Sequence, residues 1–178
     1  MKLAIIDRDG VINYDSDQYI RTPAEWKPIP QSLEAIARLN HAGYRVVLAT
    51  NQSGVGRGLF DMSTLNAIHD KMYRALAHVG GRIDALFFCP HIDESNCDCR
   101  KPKPGMLLDI AKRFNVDLKN IPFIGDSLKD LQAAQAVGAK PILVRTGKGE
   151  KTSTDQRLPK GTIQFVDLNN AVKHIISE

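Results

Sequence analysis

Leu3-Ala4-Ile5-Ile6-Asp7-Arg8-Asp9-Gly10 is a short apolar run that ends on two carboxylates two positions apart. Its length suits a buried strand rather than a buried helix. In extended backbone, residues i and i+2 point to the same side, so Asp7 and Asp9 leave the strand end together. Four more short apolar runs follow at 46–49, 85–88, 122–124 and 142–144. Helical spacing separates them: Leu65, Ile68, Met72 and Leu76 behind a cap at Ser63, and Leu107, Ile110, Ala111 and Phe114 behind Pro104. Strands alternating with helices predict an α/β fold, a doubly wound and mostly parallel sheet covered on both faces, because parallel neighbours need crossover connections. The polar stretch 146–161 reads as a surface loop before a last strand and a structural helix near 168–176.

In such a sheet ligands gather beyond the carboxyl ends of the strands. The reactive residue types fall there: Asp7 and Asp9 after the first run, Thr50 and Asn51 after the second, Cys89 after the third, and Gly125 and Asp126 after the fourth. An aspartate can attack phosphorus to give an acyl phosphate, while a neighbouring carboxylate protonates the leaving oxygen and later activates water. Anions meeting an anion need compensation: unit charges about 4 Å apart repel by about 4 kcal/mol at an effective dielectric of about 20. Magnesium suits carboxylate and phosphate oxygens, with Asp126 as a further ligand. Lys101 can neutralise nucleophile and phosphate together.

Length and composition bound the rest. A chain of 178 residues fits one unit, 1–178, with one site. The composition is that of an ordinary soluble protein, with 43% hydrophobic and 25% charged residues, and no apolar stretch approaches the roughly 20 residues that span a membrane. We expect a cytoplasmic protein without a membrane partner, and a monomer. The net charge of +4 is scattered rather than gathered into a basic run, so small anionic substrates suit it and nucleic acid is not expected.

All three cysteines fall in one loop, 89–99, as Cys89-Pro90-His91 and Cys97-Asp98-Cys99. An odd number in one short window is poor for disulfides, and Cys-x-Cys lacks redox spacing. Three thiols and His91 make a closed tetrahedral set for a structural zinc ion. The loop runs into Arg100 and Lys101, so fixing it aims two cations at the substrate. The stretch 51–58 is glycine-rich but has neither Walker nor G-x-G-x-x-G spacing, which excludes an ATP-binding P-loop. Asn51, Gln52 and Ser53 with Thr50 are expected at phosphate or sugar hydroxyls, and Arg57 at a second anionic group. His41, His69, His78 and His174 read as ordinary helix or surface positions outside the site.

Asp-Arg-Asp-Gly at 7–10, Ala-Thr-Asn-Gln-Ser-Gly at 49–54, Arg-Lys-Pro-Lys-Pro-Gly at 100–105 and Gly-Asp-Ser-Leu-Lys-Asp at 125–130 resemble, in order, the four motifs of the haloacid dehalogenase superfamily. The resemblance implies a Rossmann-like core with a minimal cap. It makes Asp7 the nucleophile, Asp9 the general acid and base, Thr50 a phosphate-binding hydroxyl, Lys101 the third-motif lysine and Asp126 a magnesium ligand, joined by the backbone carbonyl of Asp9. Asp130 stays outside the metal shell as an orienting or solvated helix carboxylate. The motifs resemble the branch holding heptose 1,7-bisphosphate 7-phosphatases, in which the segment after the first motif contacts substrate, here Asp15, Ser16, Asp17 and Gln18. That implies a sugar phosphate substrate, loss of the C7 phosphate, and a place in making nucleotide-activated heptose for an envelope glycan such as lipopolysaccharide core. Histidinol-phosphate phosphatases share the zinc loop and form the alternative. A non-catalytic zinc-binding interaction module is an alternative of another class.

Overall fold

The computed structural model describes residues 1–178, and its elements follow the expected alternation. Strand β1 (Lys2–Ile6) leads, through a connection whose only helical piece before α1 is a single 3-10 turn at Pro23–Glu25, to α1 (Ser32–His41) and β2 (Tyr44–Asn51). Helices α2 (Ser53–Gly56) and α3 (Met62–His78) precede β3 (Ala85–Cys89), and α4 (Gly105–Phe114) precedes β4 (Pro122–Gly125). Then come α5 (Leu128–Ala136), β5 (Lys140–Val144), α6 (Gly149–Ser153), β6 (Ile163–Phe165) and α7 (Leu168–Ser177). No helical cap domain interrupts the sequence of elements.

All six strands pair in parallel, in the order β3-β2-β1-β4-β5-β6. The chain winds outward from β1 to β3, then returns to β4 on the other side of β1. The switch point therefore lies between β1 and β4, where a ligand crevice is expected. Ile6 pairs with Ile124, and the Asp7 amide donates to the Ile124 carbonyl (2.9 Å), which brings Asp7 level with the end of β4.

The period-two pattern divides the core into two layers. Ala4, Ile6, Val46, Leu48, Ile124 and Ile142 face a layer built with residues of α1, α3 and α7. Leu3, Ile5, Val47, Ala49 and Phe123 face the opposite layer, with Met106, Leu107 and Ile110 of α4 and Ala133 and Ala134 of α5. Central strands buried on both faces read as continuous apolar runs, and this is why β1, β2, β4 and β5 were visible in the sequence; β3 is a partly buried edge strand whose run is also apolar.

Two local expectations are corrected. The cap of α3 is Asp61, whose carboxylate accepts from the Thr64 amide (2.8 Å), two residues before the cap expected at Ser63. The stretch 146–161 contains α6 and is not loop throughout, and its first residues border the site, where the Lys148 amide donates to Asp126. Leu48 is fully buried at the centre of the sheet, so Leu48→Ala should cost about 2–5 kcal/mol of unfolding free energy in urea titration, with the slope of the transition unchanged.

Candidate active site

Beyond the carboxyl ends of β1, β2 and β4 lies a cavity of about 360 Å³. Asp7, Asp9, Thr50, Lys101 and Asp126 line it, with Asn51, Gln52, Ser53, Arg57, Arg100, Asp15, Ser16 and Asp17 around its walls. Gln18 does not line this cavity; it faces an adjoining depression beside Tyr14 and Arg21, and its amide donates to Ser16 Oγ (3.1 Å). The sequence reading missed Lys129 and Lys148, which also line the main cavity.

At the centre is a buried charge cluster. The Lys101 ammonium lies 3.0 Å from Asp7 Oδ1 and 2.6 Å from Asp130 Oδ1, and it donates to the Ala49 carbonyl (2.6 Å). Its three donors are thereby used. Burial lowers the lysine's pKa, but Asp130 and Asp7 outweigh it and hold the group charged. Asp7, Asp126 and Asp130 present carboxylate oxygens within 4.8 Å of one another. Burial and the neighbouring Asp130 raise Asp7 to about 7 against the pull of Lys101, and burial with Asp130 and Asp7 raises Asp126 to about 8. Several carboxylates against one lysine form a donor set that fits a hard divalent cation.

Glycines make this crowding possible. A Cβ on Gly10 or Gly147, both at positive φ, would strike the Asp126 carboxylate, and one on Gly125 would strike Asp130. Around Asp126, the Lys148 amide donates to its Oδ2 (2.8 Å), Thr152 Oγ1 to its carbonyl (2.8 Å), and Thr146 Oγ1 to the Gly10 carbonyl (2.6 Å). The Lys148 ammonium lies 3.6 Å from Asp15. Asp130 is not a solvated helix carboxylate: it is buried and caps α5, accepting from the Ser127 amide (3.1 Å) and Oγ (2.8 Å) while its other oxygen holds Lys101.

Asp9 has a different environment from Asp7. Arg8 Nε and Nη2 donate to its two oxygens (2.9 and 3.1 Å), Asn13 Nδ2 to Oδ1 (2.9 Å) and Gln52 Nε2 to Oδ2 (3.0 Å). Burial would raise its pKa, but the charge of Arg8 and these donors outweigh it and hold Asp9 below the usual carboxylate range. Gln52 also donates to Thr50 Oγ1 (2.9 Å) and accepts from Arg8 Nη2 (3.2 Å). Both ends of the Asn51 amide grip the Lys101 backbone (3.0 and 3.1 Å).

The loop expected to hold metal does converge. Cys89 Sγ lies 3.2 Å from Cys99 Sγ, 3.6 Å from Cys97 Sγ and 3.5 Å from His91 Nδ1; Cys99 lies 3.7 Å from Cys97 and 3.4 Å from His91. These separations exceed an S–S bond of about 2.05 Å and approach the edges, about 3.8 Å, of a tetrahedron with Zn–S bonds of about 2.3 Å. The donor set fits zinc. Burial and the hydrogen bond with Cys99 push the Cys89 thiol up to about 12; for Cys97, burial is outweighed by the Arg100 amide and the Cys89, Cys99 and His91 side chains, which bring it down to about 6. The loop also grips its neighbours: the Gln52 amide donates to the Cys89 carbonyl (2.7 Å) and the Gly56 amide to the Pro90 carbonyl (2.9 Å). Arg100 donates to Asp93 Oδ1 (2.5 Å) and to the His91 carbonyl (3.3 Å), and Lys129 lies 3.7 Å from Asp93.

Of the four histidines set aside from the sequence, His41 and His78 are exposed and His174 is half-buried. His69 is 5% exposed and meets Arg8. Its position on the apolar stripe of α3, four residues after Leu65, was the available signal.

Fold and site together have the form of a HAD-like hydrolase, and the family model described as HAD-hydrolase-like matches residues 98–171. The chain is 57% identical over 178 residues to the D-glycero-beta-D-manno-heptose-1,7-bisphosphate 7-phosphatase of Bordetella bronchiseptica, covering 100% of this chain and 99% of that one. The enzyme of the same name from Neisseria meningitidis is 49% identical, covering 100% and 96%. The crystal structure of the B. bronchiseptica D,D-heptose 1,7-bisphosphate phosphatase complexed with magnesium and phosphate superposes with a TM-score of 0.98, at 56% identity and 99% coverage of both chains. The chain belongs to the heptose 1,7-bisphosphate 7-phosphatase family of HAD-like hydrolases.

Burial and the adjacent Arg8 charge hold His69 neutral, with a pKa lowered to about 3 from 6.5. The unfolded chain therefore binds a proton at His69 below about pH 6.5 that the folded chain refuses until about pH 3. This contribution to stability is full above pH 6.5 and is lost progressively as pH falls towards 3. Unfolding titrations from pH 7 to 4 should show wild type losing up to about 1.4 kcal/mol per pH unit more than His69→Gln.

Proposed function

We propose that this chain removes the C7 phosphate of D-glycero-D-manno-heptose 1,7-bisphosphate, leaving heptose 1-phosphate, by a magnesium-dependent aspartyl-phosphate mechanism. What carries the reading is the full-length match to phosphatases of that name, in a chain whose cavity gathers Asp7, Asp9, Thr50, Lys101 and Asp126.

Asp7 and Asp126, with the Asp9 backbone carbonyl, would hold magnesium. Bound there, the ion neutralises phosphate oxygens and stabilises the carboxylate forms of Asp7 and Asp126. Lys101, fixed by Asp130 and the Ala49 carbonyl, supports the same charge balance at Asp7, and Thr50 Oγ1 offers a hydroxyl to phosphate. Asp7 Oδ attacks phosphorus as the P–O bond to the sugar breaks, giving an acyl phosphate. An arriving phosphate ester places negative charge against Asp9 and favours its protonated form. Asp9 then delivers that proton to the departing sugar oxygen and, as a carboxylate again, takes one from the water that releases phosphate from Asp7. Both oxygens of Asp130 are engaged by Lys101 and Ser127, so its role is to orient them.

Arg57, Arg100 and Lys129 on the rim suit the second phosphate of a bisphosphate, and Asp15, Ser16 and Asp17 suit sugar hydroxyls. Cys89, His91, Cys97 and Cys99 would hold a structural zinc ion, whose loop aims Arg100 through Asp93 and the His91 carbonyl. The substrate is a small sugar phosphate, and we place the chain in the cytoplasm as a monomeric unit of heptose metabolism.

Phosphate release with magnesium should give a higher kcat/KM for heptose 1,7-bisphosphate than for histidinol phosphate, and Asp7→Asn should lower it by about 10³-fold or more. The opposite preference would move the substrate assignment, and an active Asp7→Asn would overturn the nucleophile. Cys97→Ser should release zinc, measured by metal analysis, and raise KM for the bisphosphate by about tenfold through loss of the Arg100 geometry. Unchanged kinetics in a zinc-free variant would sink that link.

A further inference from the structure

Arg8 lies between the two aspartates of the first motif, yet its side chain is fully buried and turned to Asp9 rather than to Asp7. A guanidinium has only donors, so each buried N–H must find an acceptor or remain at a cost. Nε and Nη2 are taken by the two oxygens of Asp9, and Nη2 also reaches Gln52 Oε1. Nη1 lies 3.0 Å from His69 Nε2. Because arginine cannot accept, His69 Nε2 must be the bare nitrogen of a neutral ring whose proton sits on Nδ1. A protonated imidazole would set donor against donor and cation against cation, which agrees with the ring's lowered pKa.

We infer that His69 is a positioning residue for Asp9, acting through Arg8 from the buried face of α3. Without an acceptor at position 69, Nη1 is left unpaired in the interior. The least costly relief is a turn of the guanidinium, which gives up its two-pronged hold on Asp9. The disturbance extends to Thr50, because Gln52 is shared by Arg8, Asp9 and Thr50. The charged and titratable groups facing His69 are Arg8 and, behind it, Asp9.

The inference rests on the proposed role of Asp9 as proton donor to the leaving oxygen, and the test separates the two. A sugar alkoxide needs that proton, whereas 4-nitrophenolate leaves readily without it. In His69→Leu, kcat/KM for heptose 1,7-bisphosphate should fall by about tenfold to a hundredfold, while kcat/KM for 4-nitrophenyl phosphate changes by less than about threefold. His69→Gln, which keeps an acceptor, should recover most of the loss. Equal losses on both esters in a folded His69→Leu, or no loss on either, would overturn the inference. Asp9→Asn serves as the reference: if it too fails to discriminate between the esters, the role of Asp9 falls rather than that of His69. Should His69→Leu not fold by calorimetry, Arg8→Lys, which keeps the charge but loses the fork, is judged by the same ratio. No change in that ratio would then overturn the inference.

Discussion

The site depends on burying several carboxylates around one ammonium at the switch point of the sheet. Lys101, Asp126 and Asp130 are almost wholly enclosed, and Asp7 nearly so. Each acid carries a desolvation penalty, and their mutual repulsion adds to it, on the order of 4 kcal/mol per close pair at an effective dielectric of about 20. Lys101 offsets only part of this, and the raised Asp7 and Asp126 show how much remains. A site so short of positive charge is organised to receive a cation and hold it against an incoming phosphate.

Other features follow from keeping that cluster compact. Gly10, Gly125 and Gly147 allow carboxylates where a side chain would collide. Asn51 fixes the backbone of Lys101 with both ends of its amide, while Asp130 fixes the ammonium. The cysteine loop is joined to both ends of α2, through the Cys89 carbonyl to Gln52 and the Pro90 carbonyl to Gly56, so the segment after β2 and the third-motif cations share one support. A structural metal in that loop would act on chemistry without touching substrate, because the angle at which Arg100 leaves the chain is set there.

Much of this was legible in the sequence for definite reasons. Strands buried on both faces give continuous apolar runs, and strand ends put Asp7, Thr50 and Asp126 at one edge whatever the loop details. The cysteine cluster was legible because its four side chains are local in the sequence. Contacts that depend on distant segments were not. Lys148 joins the site because α6 carries its amide to Asp126 across 22 positions, and the stretch around it is polar like any loop. Asp130 stayed open between an orienting and a solvated role because one residue cannot reveal that a lysine 29 positions earlier is folded against it. His69 lay on an apolar stripe, but its partner is 61 positions away. The start of α3 was missed by two residues because Asp61 and Ser63 both have capping side chains, and the sequence does not say which one turns back.

Asp7 and Asp9 show how one short motif yields two chemical roles. They leave the same strand, two residues apart, with identical side chains. Asp7 lies among other acids with one lysine for relief, and its acidity is weakened towards neutrality. Asp9 lies among donors, Arg8, Asn13 and Gln52, and its acidity is strengthened. Two like groups pushed apart in this way can divide nucleophilic and proton-transfer work between them. The separation originates in Arg8, the residue between them, whose backbone belongs to the motif but whose charge is directed to one aspartate alone. Burial makes that charge strong, and an acceptor in the interior keeps it aimed.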